Sequence, residues 1–273
     1  MSDSTASSTS PDTIVLVHGL WMTPRSWENW IKYFSEKGYK VITPAYPGFE
    51  IEVEALRANP SVIESSTVPN VVKHLEEVVG ALDKPPILIG HSFGGTLVQI
   101  LLDHGFGAAG VVIDSAPTEG VLLNPVSQIK SLFPILSHPG ERNHTAPFTA
   151  DQFHYAFTNT MPADEAAFVY ERYYIPAPAN FVWGAVLSNI TPGHQATYVD
   201  YHNDDRAPLL FIAGSEDNIM PPSVNKSNMH HYKSKAVIDY HEFPGRCHFI
   251  CGQQGWEEVA DYALDWALKN QKS

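Results

Sequence analysis

The amino-acid sequence predicts an α/β fold: a doubly wound, mostly parallel sheet of about six strands with one helical insertion. Three observations carry this expectation. Short, uniformly apolar runs rich in β-branched residues alternate with segments of helical periodicity, as strands covered on both faces by crossover helices require. The alternation stops at Pro117 and resumes at Pro208, so a separate body is inserted between two strands. Several strand-like runs also end in glycine-containing loops, the edge where open parallel sheets gather their ligands.

Taken in order, Thr13-Ile14-Val15-Leu16-Val17 is the first strand and ends in His18-Gly19. Ser26 to Phe34 has helical spacing, with Gly38 as its stop. Lys40–Pro44 is a second strand that runs into the turn-rich Tyr46-Pro47-Gly48. Thr67 can cap a helix whose apolar face is Val68, Val71, Val72, Leu75, Val78, Val79 and Leu82. Pro85–Ile89 is the third strand, and a helix bearing Leu97, Val98, Leu101 and Leu102 follows it. Gly110–Asp114 is the fourth strand, Pro208–Gly214 the fifth and Ala236–Tyr240 the last. An amphipathic helix from Gly255 to Asn270 closes the chain, burying Trp256, Val259, Ala263, Trp266 and Ala267. The expected organisation is a tail over 1–12, a core built from 13–117 and 207–273, and a helical lid over 118–206.

Composition narrows the function. With 44% apolar and 17% charged residues in 273, the chain is an ordinary globular protein. A net charge of −13 disfavours nucleic acid and anionic membranes as partners. No apolar run is long enough to span a bilayer, and the Ser/Thr-rich opening lacks the basic and apolar regions of a signal peptide. Cys247 and Cys251 do not make a disulfide framework, so the expected location is cytoplasmic. No feature of the sequence specifies an oligomeric state.

The chemistry is written at the loops. Gly90-His91-Ser92-Phe93-Gly94 lies between an apolar strand and a helix, the sequence form of a turn that thrusts a serine hydroxyl above the sheet. A serine hydroxyl is a weak nucleophile and needs a base, a group to orient that base, and donors for the oxyanion it creates. Asp217 sits in Gly214-Ser215-Glu216-Asp217-Asn218 after one strand, and His248 in Gly245-Arg246-Cys247-His248-Phe249 after the last. The backbone N–H of Phe93 and that of Leu20, in the loop after the first strand, are the candidate oxyanion donors. Glu216 and Asp114 stay open as alternatives to Asp217, and His241, His230 and His231 as alternatives to His248. His18 and His91 read as structural. A zinc site at Cys247-His248-x-x-Cys251 would lack further cysteines and compete for His248.

With H-G-x-x, G-H-S-F-G-G, G-S-E-D-x-x-x-P and G-x-C-H-F in register over nearly the whole chain, the sequence resembles the α/β-hydrolase superfamily. The resemblance implies Ser92 as nucleophile, His248 as general base and then acid, Asp217 as its orienter, and main-chain donors at Leu20 and Phe93. Too few residues precede the first strand for the two N-terminal strands common in that superfamily. The expected activity is hydrolysis of a carboxylic ester, thioester or lactone of a small to medium, largely apolar substrate through an acyl-enzyme. It calls for no cofactor and no metal, and its partner is a small-molecule acyl substrate. The same machinery would serve carbon–carbon bond hydrolysis, lyase chemistry or acyl transfer; a ligand-binding receptor on the same fold is the competitor from another class. A cofactor-free lyase would be expected to add a lid lysine, for which only Lys130 is available.

Overall fold

The structure is a computed structural model that describes residues 10–122 and 125–272. Of the expected tail, 1–9 lie outside the described residues; Pro11 is buried, and the Asp12 carbonyl accepts from the Lys40 N–H at 2.9 Å. The chain runs β1 (Thr13–Val17), α1 (Glu28–Glu36), β2 (Lys40–Ile42), α2 (Val53–Ala58), α3 (Val68–Gly80), β3 (Ile87–His91), α4 (Phe93–Asp103) and β4 (Ala109–Ile113). Next come α5 (Val126–Leu136), β5 (Thr145–Ala146), α6 (Ala150–Phe157), α7 (Ala163–Tyr173), β6 (Ala177–Pro178) and α8 (Ala179–Leu187). It finishes with β7 (Leu209–Gly214), α9 (Pro222–His231), β8 (Ile238–Phe243) and α10 (Trp256–Asn270).

Six strands form one sheet in the order β2-β1-β3-β4-β7-β8, all neighbours parallel. The order reverses direction after β1, which makes the sheet doubly wound. Alternation along the strands divides the core. Ile14, Leu16, Ile87, Ile89, Val111 and Ile113 face α1 and α10. Val15, Val17, Leu88 and Val112 face a larger core shared with α3, α4 and the segment between β4 and β7. The inserted helices thus rest on the same apolar mass as the sheet.

Local chemistry explains the boundaries. Thr67 caps α3 by accepting from the Asn70 N–H, and Pro69 stands in the first turn, where a missing N–H costs nothing. Gly255 begins α10 in a left-handed conformation, with φ 82°. The last strand differs from the expected Ala236–Tyr240. It pairs with β7 from Leu209↔Ile238 to Gly214↔Phe243, so cross-strand register places it two residues later than its apolar run suggests.

Two guanidinium groups fasten the inserted segment to the sheet body. Arg57 of α2 donates to the carbonyls of Tyr170, Glu171 and Tyr174 at the C-terminal end of α7, and pairs with the Glu171 carboxylate at 2.9 Å. Arg172 holds Glu28 with two bonds of 2.6 Å, and the Tyr173 hydroxyl donates to the same carboxylate. Arg206, whose charge would suit a surface position, is buried. It donates to the carbonyls of Ala207, Ala236 and Val237 beside the β7–β8 pair and lies over the Tyr232 ring.

Candidate active site

Ser92 follows β3 and caps α4 with φ 56° and ψ −124°, a conformation costly for any residue with a Cβ. The turn closes only because its flanks carry no side chain. A Cβ on Gly90 would lie 2.2 Å from the Gly94 carbonyl oxygen, and one on Gly94 would lie 2.2 Å from that of Val17. Main-chain bonds then hold the turn: the Ser92 N–H donates to Ile113, and the Gly95 and Ala116 N–H groups both donate to the Ser92 carbonyl. Phe93 is the first residue of α4, where N–H groups have no intrahelical acceptor. Leu20 lies after β1, and both residues line the cavity that opens on Ser92.

Asp217 and His248 meet in the interior. The imidazole Nδ1–H donates to Asp217 Oδ2 at 2.6 Å, with both side chains out of contact with solvent. The other oxygen, Asp217 Oδ1, accepts from the N–H groups of Ile219 and Met220 at 2.7 and 2.8 Å, which fixes the carboxylate's orientation. Because a carboxylate only accepts, the proton sits on Nδ1 and leaves Nε2 with its lone pair. That atom is buried and has no hydrogen-bond partner. Ser92 Oγ is therefore not bonded to the pair; the ring of His91, the residue immediately before the serine, lies 4.7 Å from that of His248.

His91 has a positioning part that its neighbourhood in sequence concealed. Its Nε2–H donates to the His248 carbonyl at 2.7 Å, tying the end of β3 to the histidine's loop. Burial and the neighbouring His248 press the His91 pKa well below its ordinary value, which keeps it neutral. His18 is also neutral: burial lowers it to about 4, and its ring stacks on Tyr46, whose hydroxyl donates to the His18 carbonyl.

Asp114 follows β4 with φ 45° and is fully buried. Its Oδ1 accepts from the Gly214 N–H at 2.7 Å, and Oδ2 has no partner. Burial, then the charge of Asp217, pushes its pKa well above the usual carboxylate range, which favours the protonated form. The remaining alternatives stand apart: Glu216 is exposed, and His241 stacks on Tyr262. Cys247 and Cys251 are buried free thiols, and burial lifts Cys247 to about 11. Lys130 is exposed, with its ammonium over the Tyr155 ring.

Sequence reasoning missed α9 and what it does. Asn225 accepts from the Ser115 N–H and donates to the Met220 carbonyl, bridging the loop after β4 to the loop carrying Asp217. Asn228 and Gln99 extend this buried network to Thr118 and Tyr232. The cavity wall was also missed: Leu132 of α5 and Phe181 and Val182 of α8 enclose Ser92. Phe153 and Phe157 stack on each other in the core, as Tyr170 and Tyr174 stack on each other. Trp183 lines a second cavity of about 820 Å³ formed by inserted residues, among them Phe133, His138, Glu141, Phe148 and Gln152. Trp21 stacks on Phe148 at the boundary between the two spaces.

Comparison with known proteins places this geometry. Residues 14–262 match the model of the alpha/beta hydrolase family. Among solved structures, an extracellular α/β-hydrolase from a Paenibacillus species is similar at TM-score 0.69 and 22% identity, over 96% of this chain and 100% of that one. A monoacylglycerol lipase from Paleococcus ferrophilus is similar at 0.65 and 17%, over 96% of each chain. A putative non-heme bromoperoxidase from Mycobacterium tuberculosis is similar at 0.68 and 18%, over 96% of this chain and 94% of that one. No curated protein matches the sequence significantly.

Proposed function

Because this chain belongs to the alpha/beta hydrolase family, we propose that it is a serine hydrolase acting on a carboxylic ester, thioester or lactone of a small to medium apolar substrate. The observation that carries the reading is the buried Asp217–His248 pair, its Nε2 without a partner, at the same sheet edge as a serine in a strained turn. His248 Nε2 takes the Ser92 hydroxyl proton as Oγ attacks the substrate carbonyl. The N–H groups of Leu20 and Phe93 receive the oxyanion. Collapse of the tetrahedral species expels the leaving group, which takes the proton from His248. Water then gives its proton to the same nitrogen, attacks the acyl-enzyme, and releases the acid with Ser92 restored. Asp217 keeps the proton on Nδ1 throughout and offsets the charge that His248 gains.

Residues 118–206 serve as a lid in this reading, since they supply the wall over Ser92. The fold alone would not choose the reaction: its relatives include proteins named lipase, esterase and putative bromoperoxidase. Lyase chemistry finds less support, because the lid lysine Lys130 is an exposed side chain on Tyr155 and does not line the Ser92 cavity. Two buried free thiols fit a cytoplasmic setting. Among the described residues, no helix is long and apolar enough to cross a membrane.

Labelling with a fluorophosphonate probe tests the proposal. The native protein should form a covalent adduct and the Ser92→Ala variant none. Absence of label on the native protein, or equal label on both, would overturn it.

A further inference from the structure

The cavity on Ser92 is small, at about 30 Å³, and its chemistry is uniform. Apart from Ser92, its lining side chains carry only two heteroatoms, the Trp21 indole nitrogen and the Met220 sulfur, and both are occupied. Trp21 Nε1–H donates to the Ala146 carbonyl at 2.9 Å, and Met220 Sδ accepts from Gln128. Beyond the reacting carbonyl, which Ser92 and the oxyanion candidates would engage, a group lodged against these side chains would find no hydrogen-bonding partner among them, so it must be hydrocarbon.

The cavity also has a side. A leaving group must reach His248 Nε2 to be protonated, yet neither His248 nor Asp217 nor His91 lines this space. The oxyanion candidates Leu20 and Phe93 do. What fits beside the oxyanion donors and away from the histidine is the acyl chain, not the alcohol. Phe181 closes this space: it is 1% exposed and sets its ring edge-on to that of Phe93, 5.2 Å between centroids. Leu132 and Val182, also buried, complete the wall contributed by α5 and α8.

We infer, on the hydrolase reading above, that the enzyme selects short unsubstituted acyl groups of the acetyl-to-butyryl class, and that Phe181, Leu132 and Val182 set the limit. At about 30 Å³ the open space holds no more than about two water molecules, so a long chain fits only by displacing packed side chains. The larger cavity of the insertion is separated from Ser92 and does not relieve the limit.

A series of p-nitrophenyl esters tests the inference on the full chain. The value of kcat/KM should fall at least about 100-fold from acetate to octanoate, with the steepest step between butyrate and hexanoate. Phe181→Leu and, independently, Val182→Ala should each raise the hexanoate-to-acetate ratio about tenfold. The second substitution removes two methyl groups and guards against a folding defect in the first. Where turnover is too slow to follow, inactivation rates with methyl- and hexyl-phosphonate p-nitrophenyl esters read the same preference at Ser92. A flat or rising chain-length profile, or a ratio unmoved in both variants, would overturn the inference while leaving the hydrolase reading intact. No reaction of Ser92 with any ester, phosphonate or fluorophosphonate would overturn both.

Discussion

The carboxyl edge of the sheet and the segment inserted between β4 and β7 are built on opposite principles. At the edge, buried polar groups are held by directed bonds. Asp217 takes three, His91 reaches the His248 carbonyl, and Asn225 spans two loops. The insertion is held by aromatic packing and a few guanidinium anchors, and it shows hydrocarbon to solvent. Of the nine large apolar side chains exposed among the described residues, Leu122, Val126, Ile129, Phe133, Phe168 and Ile190 lie there, against Ile51, Val62 and Val237 elsewhere. Directed bonds fix atoms to a fraction of an ångström, whereas apolar contact fixes only volume. The edge should therefore govern how fast a bond is broken, and the insertion which substrate arrives.

Asp217→Asn offers the largest test of that division. The amide cannot accept from Nδ1–H in the same way and favours the wrong tautomer of His248, so kcat on p-nitrophenyl acetate should fall about 10⁴-fold. A loss of similar size on the same short ester from Phe181→Leu would break the distinction.

Acid stability is next. His18 and His91 are neutral when folded, so below the unfolded pKa of about 6.5 the unfolded chain binds two protons that the native state refuses. Asp114 acts in the other direction, since the native state keeps a proton that the unfolded chain has released above pH of about 4. The balance is one proton. Within this count stability is greatest near pH 6.5 and is lost as pH falls toward 4, by about 1.4 kcal/mol per pH unit. Denaturant midpoints measured from pH 7 to pH 4.5 would show it. Asp114→Asn should steepen the slope toward two protons, and a slope unchanged by that substitution would mean that Asp114 is ionised in the native state.

The smallest effect belongs to the outer face of α5. Val126→Glu and Ile129→Lys replace exposed residues, so stability should move by less than about 0.5 kcal/mol and acetate turnover by less than about twofold. A collapse in either would show that this face packs on something in solution, which sedimentation velocity would detect.

The edge was legible because its motifs are local. Gly90 and Gly94 are required within five residues of chain, and Asp217 and His248 each close a strand of recognisable composition. What escaped depends on partners far away. α9 has little apolar periodicity because Asn225 and Asn228, its inward residues, are polar and find their bonds in Ser115, Met220 and Thr118. α8 is apolar nearly all round, so nothing in Phe181-Val182-Trp183 says which residue turns toward Ser92 and which toward the outer cavity. Arg206 looks like a surface charge until the carbonyls of the β7–β8 pair surround it.

Trp21, Ser92 and Asp114, the residues other than glycine with left-handed φ among the described residues, each follow a strand of the same sheet edge. Backbone tension of this kind costs about 1–3 kcal/mol per residue. At Ser92 glycine would relieve it, and the small buried hydroxymethyl group gives up little packing in exchange. A Ser92→Gly protein should then melt about 2–4 °C higher for each kcal/mol recovered, as calorimetry would record. Reactivity and heat resistance are set against each other at a single position, and the inert protein should be the one that keeps longer on the shelf.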